Sequence, residues 1–243
     1  MRQSSPDSAE PYVPPRIDIV DFVEGARAAQ GLTIVIDVFR AFSLAAHLFA
    51  RGAHRIYPVA AVETARELKA RWPDALLIGE RQARPLPGFD AGNSPTELER
   101  FNVSGRTIIH TTHAGTQGLT NAINATEVIT GALVNADAVV RYVRARKPEQ
   151  VTIVRMGHEA RERCEEDDLC ARILHARLRG AEIDVNPATE LRQASSAVKF
   201  FDPACTWAPE GDFERCTRLD VFDFVLQLVP DDPVSRLQCI PVV

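Results

Sequence analysis

The fold is indicated most directly by one stretch of the sequence, Leu32-Thr33-Ile34-Val35-Ile36-Asp37-Val38-Phe39-Arg40-Ala41-Phe42-Ser43. Its first five residues are almost all apolar and mostly β-branched, which predicts a strand buried on both faces of a sheet. After the charged residue Asp37 the pattern changes to that of a helix. A buried strand that leads through a short polar turn into a helix is the repeating unit of α/β proteins.

The same alternation continues along the chain. We therefore expect an α/β fold with three layers (α/β/α) around a mostly parallel or mixed sheet. The predicted strands are Ile17–Phe22, Leu32–Val38, Arg55–Val59, Leu76–Ile78, Thr107–His110, Glu127–Thr130 and Val151–Arg155. The predicted helices are Leu44–Arg51, Ala61–Arg71, Gly115–Ile123, Ala136–Arg146 and Asp168–Leu178, with a closing helix and strand within Phe213–Val229.

Length and composition limit the domain organisation and the partners. The 243 residues, 45% hydrophobic and 25% charged, are typical of a soluble globular protein. We expect a flexible tail over residues 1–15 and an α/β domain over 16–243, as one body or two lobes. The net charge of -5 argues against a nucleic-acid partner, and no apolar run is long enough to cross a membrane. Five cysteines without a CxxC pair predict a reduced, cytoplasmic protein, for which a homo-oligomer stays open.

A second informative stretch follows the predicted strand Leu76–Ile78 and runs from Gly79 to Pro95. It combines acidic and basic side chains with several glycines and prolines. Arginines at positions 81 and 84 match phosphate, sulfonate or carboxylate groups in a forked geometry, while acids at positions 80 and 90 could hold a hard cation. A rigid surface loop with solvated charges explains the same residues equally well.

Polar side chains also recur where predicted strands end, which is where parallel sheets bind ligands. Asp37 could bind a metal or attack phosphorus, and Ser43 with nearby free amides could hold an anion. A capping turn with an ion pair between Asp37 and Arg40 is the alternative.

Two further turns carry similar ambiguity. Thr112, Gly115 and Thr116 could form a phosphate cradle at a helix start, or an ordinary threonine-rich cap. Glu166 and Asp167 lie in a run of four acids that would suit Mg²⁺ and would equally suit the dipole of the helix that follows.

In this order the motifs resemble the 2-phosphosulfolactate phosphatase (ComB-like) family. The residues that carry the resemblance are 36–41, 79–81, 87–95, 111–112 with 115–116, and 166–167 with 169–171. The block Gly-Phe-Asp-x-Gly-Asn-Ser-Pro at 88–95 is the most specific, and the similarity extends from about Leu32 to Gly180. Family members typically carry Thr-Asn-Gly-Thr where this chain has His113-Ala114-Gly115-Thr116.

The resemblance implies Mg²⁺-dependent hydrolysis of the phosphate monoester of a 2-hydroxy acid. The implied reaction converts 2-phospho-3-sulfolactate to 3-sulfolactate and phosphate, in coenzyme M biosynthesis. The implied catalytic residues are Asp37, Arg40, Arg81 and Asp167. The implied substrate-binding residues are Ser43, Arg84, Asn93, Ser94, Thr112, Gly115 and Thr116. The implied metal ligands are Asp37, Glu80, Asp90, Glu166 and Asp167.

These residues are expected to meet in one pocket that holds a divalent ion against a small anionic phosphorylated substrate. The nucleophile is either Asp37 or a water activated by the metal. A non-catalytic binder of small phosphorylated or sulfonated acids is the competing interpretation, which the altered residues His113 and Ala114 favour. A phosphotransferase of dehalogenase type is disfavoured, because Phe39 occupies the place of its second aspartate.

Overall fold

A ten-stranded sheet organises residues 12–243, the part of the chain that the computed structural model describes. Most of the predicted tail, residues 1–11, lies outside the described residues. The strands are β1 (Arg16–Asp21), β2 (Leu32–Ile36), β3 (Arg55–Pro58), β4 (Leu76–Arg81), β5 (Arg84–Pro85), β6 (Thr107–Thr111), β7 (Glu127–Gly131), β8 (Gln150–Arg155), β9 (Phe224–Val229) and β10 (Arg236–Pro241). The helices are α1 (Phe22–Ala28), α2 (Ala41–Ala50), α3 (Val62–Arg71), α4 (Gly115–Asn121), α5 (Ala136–Arg146), α6 (Glu165–Leu178), α7 (Pro187–Leu191), α8 (Val198–Phe201) and α9 (Glu210–Cys216).

The sheet contains two groups of parallel strands. The strand order is β1-β8-β2-β7-β9-β10-β3-β6-β4-β5, in which β1, β8, β2 and β7 are parallel, and so are β3, β6 and β4. The β9–β10 hairpin lies between the groups and is antiparallel to both of its neighbours. Because three successive antiparallel pairings separate β7 from β3, the two groups run in opposite directions.

The carboxyl ends of the two groups face each other. The strands of the hairpin pair with one another over six residues, whereas each pairs with its neighbouring group through one residue, Gln227 with Ile129 and Leu237 with Ile56. Hydrogen bonds described below join the residues that follow β2 to those that follow β6. A site between the groups therefore draws on strand ends from both.

Helices cover both faces of the sheet, which confirms the predicted three-layer arrangement. Ile34 and Ile36 of β2 pack in a cluster with α5 and α6, while Val35 points to the opposite face, where the cluster includes α1, α2 and α4. A third cluster lies under α3, where Leu68 packs with Ile109 of β6. The central strand is thus buried on both sides, as its continuous apolar run predicts.

All seven predicted strands and five predicted helices are present, with small shifts at their ends. The closing helix and strand correspond to α9 and β9. Helix α1 and strand β10 were not predicted, and β4 extends to Arg81, so Glu80 and Arg81 belong to a strand rather than to a loop.

The segment from Asn186 to Asp212, for which no helix or strand was predicted, contains α7, α8 and the start of α9. It packs beside the strand ends and supplies residues to the pocket described below. Within residues 12–243, no helix is both long and apolar enough to span a bilayer.

Candidate active site

Asp37 lies directly after β2 and is held by backbone groups from two elements. Its Oδ1 accepts a hydrogen bond from the N–H of Ala41 at 3.2 Å, at the start of α2. Its Oδ2 accepts one from the N–H of Gly115 at 2.8 Å, at the start of α4. This second bond links the ends of the two strand groups, because β2 belongs to one and β6, which precedes α4, to the other.

Asp167 performs a similar role within the first strand group. It lies in the first turn of α6, where Oδ1 accepts from the N–H of Val38 at 2.9 Å and Oδ2 from that of Gly157 at 2.8 Å. These nitrogens follow β2 and β8, respectively. Its neighbour Glu166 accepts a hydrogen bond from the hydroxyl of Ser196.

Glu80 is the acidic residue that the second strand group contributes. Its Oε1 accepts from the N–H of His113 and its Oε2 from that of Ala83, both at 2.7 Å. The carboxylate thus joins the end of β4 to the turn after β6. Like Asp37 and Asp167, it is buried.

These four carboxylates line one cavity of about 50 Å³ between the facing strand ends. The cavity has room for roughly three or four water molecules. Six of the residues expected at the site line it: Asp37, Arg40, Glu80, Asn93, Glu166 and Asp167. A larger open groove of about 960 Å³ runs along α7 and α9, but its acidic residues, such as Asp184 and Glu210, are exposed and solvated.

Burial of several acids together changes their proton affinity. Burial, followed by repulsion from Glu80 and Glu166, raises the pKa of Asp37 to about 7, against the opposing hydrogen bonds from Ala41 and Gly115. Burial and the charges of Glu166 and Asp37 raise the pKa of Asp167 well above its ordinary value. Burial also raises the pKa of Glu166, which Ser196 and Lys199 counteract. The pocket therefore favours protons or a cation.

Arg40 lines the pocket, but its charge is already balanced. Its guanidinium forms an ion pair with Asp212 at 2.7 Å, where both side chains are almost completely buried. It also donates to the carbonyl oxygens of Trp207 and Ala83. Arg40 thus anchors the segment before α9 to the strand ends.

The other two arginines expected at the site do not line the pocket. Arg81 donates to the carbonyl oxygens of Glu80 and Ala60 and to the hydroxyl of Thr111, and these bonds hold it beside β6. Arg84 is exposed, and its guanidinium stacks 3.9 Å from the centre of the Trp207 ring. A role of Arg81 and Arg84 in substrate binding therefore stays a prediction.

The threonine-rich turn is closed by its own hydrogen bonds. Thr112 Oγ1 accepts from the N–H of Thr116, and Thr116 Oγ1 accepts from that of Thr112. The N–H groups of His113 and Gly115 bond to Glu80 and Asp37. The expected phosphate cradle at 112–116 is therefore occupied by protein carboxylates and hydroxyls, and Thr112 and Thr116 do not line the pocket.

Three more expected site residues have structural partners elsewhere. Asp90 is exposed, pairs with Lys69 at 3.0 Å and accepts from the N–H of Leu77, so it is separate from the acidic cluster. The hydroxyl of Ser43 donates to the carbonyl of Val38. The hydroxyl of Ser94 donates to Asp212.

Asn93 does reach the pocket, and a buried histidine orients it. Nε2 of His110 donates to Oδ1 of Asn93 at 3.0 Å, since an amide oxygen can only accept. Within residues 12–243 the Nδ2 group of Asn93 has no acceptor, so it remains free to donate. Burial lowers the pKa of His110 to about 4, which keeps its ring neutral.

Sequence reasoning missed several pocket residues. His113 and Cys164 were not among the expected site residues, yet both line the pocket. The sulfur of Cys164 has ligand atoms of Glu166 and Asp167 within 4.8 Å, and burial raises the pKa of its thiol. Ser196 and Lys199 lie between α7 and α9, and no local motif marks them.

Comparison with known proteins identifies the family of this chain. The family model described as 2-phosphosulpholactate phosphatase matches residues 17–230. The chain belongs to this family. Membership in the 2-phosphosulpholactate phosphatase family confirms the resemblance drawn from the motifs, and with it the enzyme class of phosphoric monoester hydrolases.

Individual members of the 2-phosphosulpholactate phosphatase family are 31–40% identical to this chain. The probable 2-phosphosulfolactate phosphatase of Thermotoga maritima is 34% identical over 81% of this chain and 88% of its own length. That of Clostridium perfringens is 31% identical over 76% of this chain and 75% of its own. That of Carboxydothermus hydrogenoformans is 40% identical, and the match spans about half of either protein, 53%.

Proposed function

We propose that this protein is a Mg²⁺-dependent phosphatase that hydrolyses the phosphate monoester of a 2-hydroxy acid. The proposed reaction converts 2-phospho-3-sulfolactate to 3-sulfolactate and phosphate. The observation that carries the proposal is the cluster of Asp37, Glu80, Glu166 and Asp167, four buried carboxylates that line one pocket between facing strand ends. Family membership supports the substrate class.

The donor set suits a hard divalent cation. Carboxylate oxygens dominate it, and burial is the main cause of the raised pKa values of Asp37, Glu166 and Asp167, so a bound cation would stabilise their charged forms. Glu166 and Asp167, whose ligand atoms lie within 4.8 Å of each other, would hold Mg²⁺ together with Asp37 of the same pocket, while Cys164 keeps its proton because burial raises its pKa. When bound, the ion would neutralise charge on the phosphoryl group and help to activate the attacking group.

The protein's own residues would position the ester and control protons. Asp37 is fixed by two backbone N–H groups, and a pKa of about 7 lets it exchange a proton near neutral pH. It would therefore serve as the nucleophile or as the base for a water molecule. The free amide of Asn93 would donate to a phosphate oxygen.

A non-catalytic binder of small phosphorylated or sulfonated acids is the second candidate. One observation favours it: the N–H groups of His113 and Gly115 are already bonded to carboxylates, and so cannot stabilise a transferring phosphoryl group. A cytoplasmic location and a homo-oligomer remain predictions from the composition.

Phosphate release from 2-phospho-3-sulfolactate tests the proposal. The wild-type protein should release phosphate with Mg²⁺ and stop when a chelator is added. Asp37→Asn should lose activity at least 100-fold, as an order of magnitude for removal of a group that acts in the transition state. Asp74→Asn, an exposed aspartate far from the pocket along the sheet, is the matched control and should stay active. Binding of 3-sulfolactate without phosphate release would favour the binder.

A further inference from the structure

The cations around the pocket are not equivalent. Among the described residues that line it, the side chains with an amine or a guanidinium group are Lys199 and Arg40. Arg40 is committed to Asp212 and two carbonyl oxygens. Lys199 Nζ has neither an ion-pair partner nor a hydrogen-bond acceptor within residues 12–243, although five carboxylates line the same cavity. Burial lowers the pKa of Lys199, and the charge of Glu166 opposes this shift.

Aromatic rings hold the ammonium group of Lys199 in place. Nζ lies 5.2 Å from the ring centre of Phe200 and 5.9 Å from that of Phe39. These two rings pack edge to face at 5.0 Å, and Phe213 packs against both. Because Phe39 lies two residues after Asp37, this contact holds Lys199 near the carboxylate cluster. Such rings attract a cation without neutralising it.

The segment that carries Lys199 also lines the pocket. Ser196, three residues earlier, donates its hydroxyl to Glu166, so this segment contacts the carboxylate cluster directly. The pocket therefore combines the carboxylates of the strand ends and α6 with the ammonium group that α8 contributes.

We propose that Lys199 binds one of the two acid groups that the substrate carries beside the phosphate ester, the sulfonate or the carboxylate. This inference rests on the proposed function. It makes Lys199 a specificity-determining residue: the enzyme distinguishes a phosphorylated acid from a phosphate ester with an uncharged arm through this one ammonium group.

The charge balance explains why the acid group would go to Lys199. A divalent ion bound by the carboxylates would attract the phosphate group. The other anionic groups of the substrate then need a second cation nearby. Of the three arginines that the sequence offered, Arg40 and Arg81 are hydrogen-bonded to protein groups, and Arg84 does not line the pocket. An ammonium group is a compact charge with three donors and can meet either a sulfonate or a carboxylate.

Two substrates and three variants test the proposal. The substrates are 2-phospho-3-sulfolactate and p-nitrophenyl phosphate, whose aryl arm carries no acid group. Lys199→Met keeps the length and apolar stem of the side chain on Phe39 and Phe200 but removes the charge, and Lys199→Arg keeps the charge. Lys147→Met removes an exposed lysine as a matched control. Calorimetric binding of 3-sulfolactate provides a readout that does not depend on turnover.

We expect Lys199→Met to lower kcat/KM for 2-phospho-3-sulfolactate by roughly 10- to 100-fold, mainly through KM, and to weaken 3-sulfolactate binding similarly. Hydrolysis of p-nitrophenyl phosphate should change less than about threefold, on the scale of an exposed substitution. Lys199→Arg should recover most of the loss.

Equal losses on both substrates would overturn the proposal, because Lys199 would then act on the phosphate or on the fold. Unchanged binding of 3-sulfolactate in Lys199→Met would overturn it as well. If the wild-type protein hydrolyses neither ester, the proposed function fails, whereas the calorimetric comparison still decides whether Lys199 binds the acid.

Discussion

The carboxylate of Asp37 accepts the backbone N–H of Gly115 at 2.8 Å, and this bond joins two groups of strands that run in opposite directions. Asp37 follows the central strand of one group, and Gly115 begins the helix after the central strand of the other. The hydrogen bond therefore sets the spacing between the two sides of the acidic cluster.

Replacement of Gly115 by alanine should disturb this spacing. A Cβ atom at this position would lie 2.7 Å from Oδ2 of Asp37 and 3.0 Å from Cβ of Ala41. We expect a loss of about 1–3 kcal/mol in the free energy of unfolding, because the added atom overpacks a buried site. Phosphatase activity should fall by more than tenfold, as roughly expected when a catalytic group is displaced by a fraction of an ångström.

Gly180→Ala is a suitable control for the effect of Gly115→Ala on stability. Gly180 has a left-handed φ of 81°, but an added Cβ meets no atom within 4 Å. This variant should lose about 1 kcal/mol and retain its activity. If Gly115→Ala remains as active as Gly180→Ala, then the hydrogen bond to Asp37 does not position a catalytic group.

Stabilisation by Mg²⁺ should depend on pH. In the metal-free protein the pKa of Asp37 is about 7, so the side chain is protonated in mildly acidic solution, and an ion must displace that proton to bind. The rise in Tm caused by a fixed Mg²⁺ concentration should therefore be small near about pH 5 and should grow as the pH increases through about 7.

Thermal unfolding with Mg²⁺ and with a chelator, across this pH range, measures the effect. The difference between the two conditions isolates the metal site from other titrating groups, such as buried histidines. A difference that is constant over the range would show that the ion does not bind at Asp37 and its neighbours.

The buried His110 should make stability depend on pH in a separate way. Its pKa is lowered from 6.5 to about 4, so between these values the unfolded chain binds a proton that the folded protein does not. The free energy of unfolding therefore rises with pH across this window. The stabilising contribution of the neutral His110 is lost as the pH falls towards 4. The contribution reaches roughly 3 kcal/mol for a shift of this size.

Replacement of His110 by glutamine should remove that share of the pH dependence. Urea unfolding at several pH values between about 4 and 6.5 measures the slope, with the exposed His54→Gln as a control that should leave it unchanged. An identical slope in His110→Gln and in the wild type would contradict the assignment. The same variant tests whether the orientation of Asn93 matters for substrate binding.

Asp212 should be essential for stability although it lies outside the pocket. It is fully buried, pairs with Arg40, and accepts from the hydroxyl of Ser94 and the N–H of Thr96. Asp212→Asn leaves the guanidinium without a counter-charge, and we expect a loss of about 3–5 kcal/mol. Denaturant unfolding should show this loss, while Asp18→Asn, in an exposed pair with Arg16, should change little. Equal effects of the two variants would exclude a structural role for the buried pair.

The strands and helices of the scaffold could be predicted because their signals are local. The buried run of β2 and the amphipathic pattern of α5 each follow from periodicity within a few residues. Helix α1 was missed because it starts directly after β1 at Phe22 without a capping side chain. The reversal between the strand groups was not predictable from local patterns, since it depends on where the distant β9–β10 hairpin pairs.

The candidate site was predictable in part for the same reason. Acids at strand ends, such as Asp37 and Glu80, lie in short motifs and were identified, and they do meet in one pocket. The ion pair of Arg40 could not be predicted, because its partners lie more than 160 residues away, at Trp207 and Asp212. Lys199 carries no motif, and only the packing of α8 against Phe39 brings it to the pocket.

The β9–β10 hairpin follows every residue of the pocket in the sequence. During synthesis, both strand groups leave the ribosome before the hairpin that sets their relative orientation. The acidic residues of both groups are therefore synthesised before the two strands that lie between the groups in the sheet.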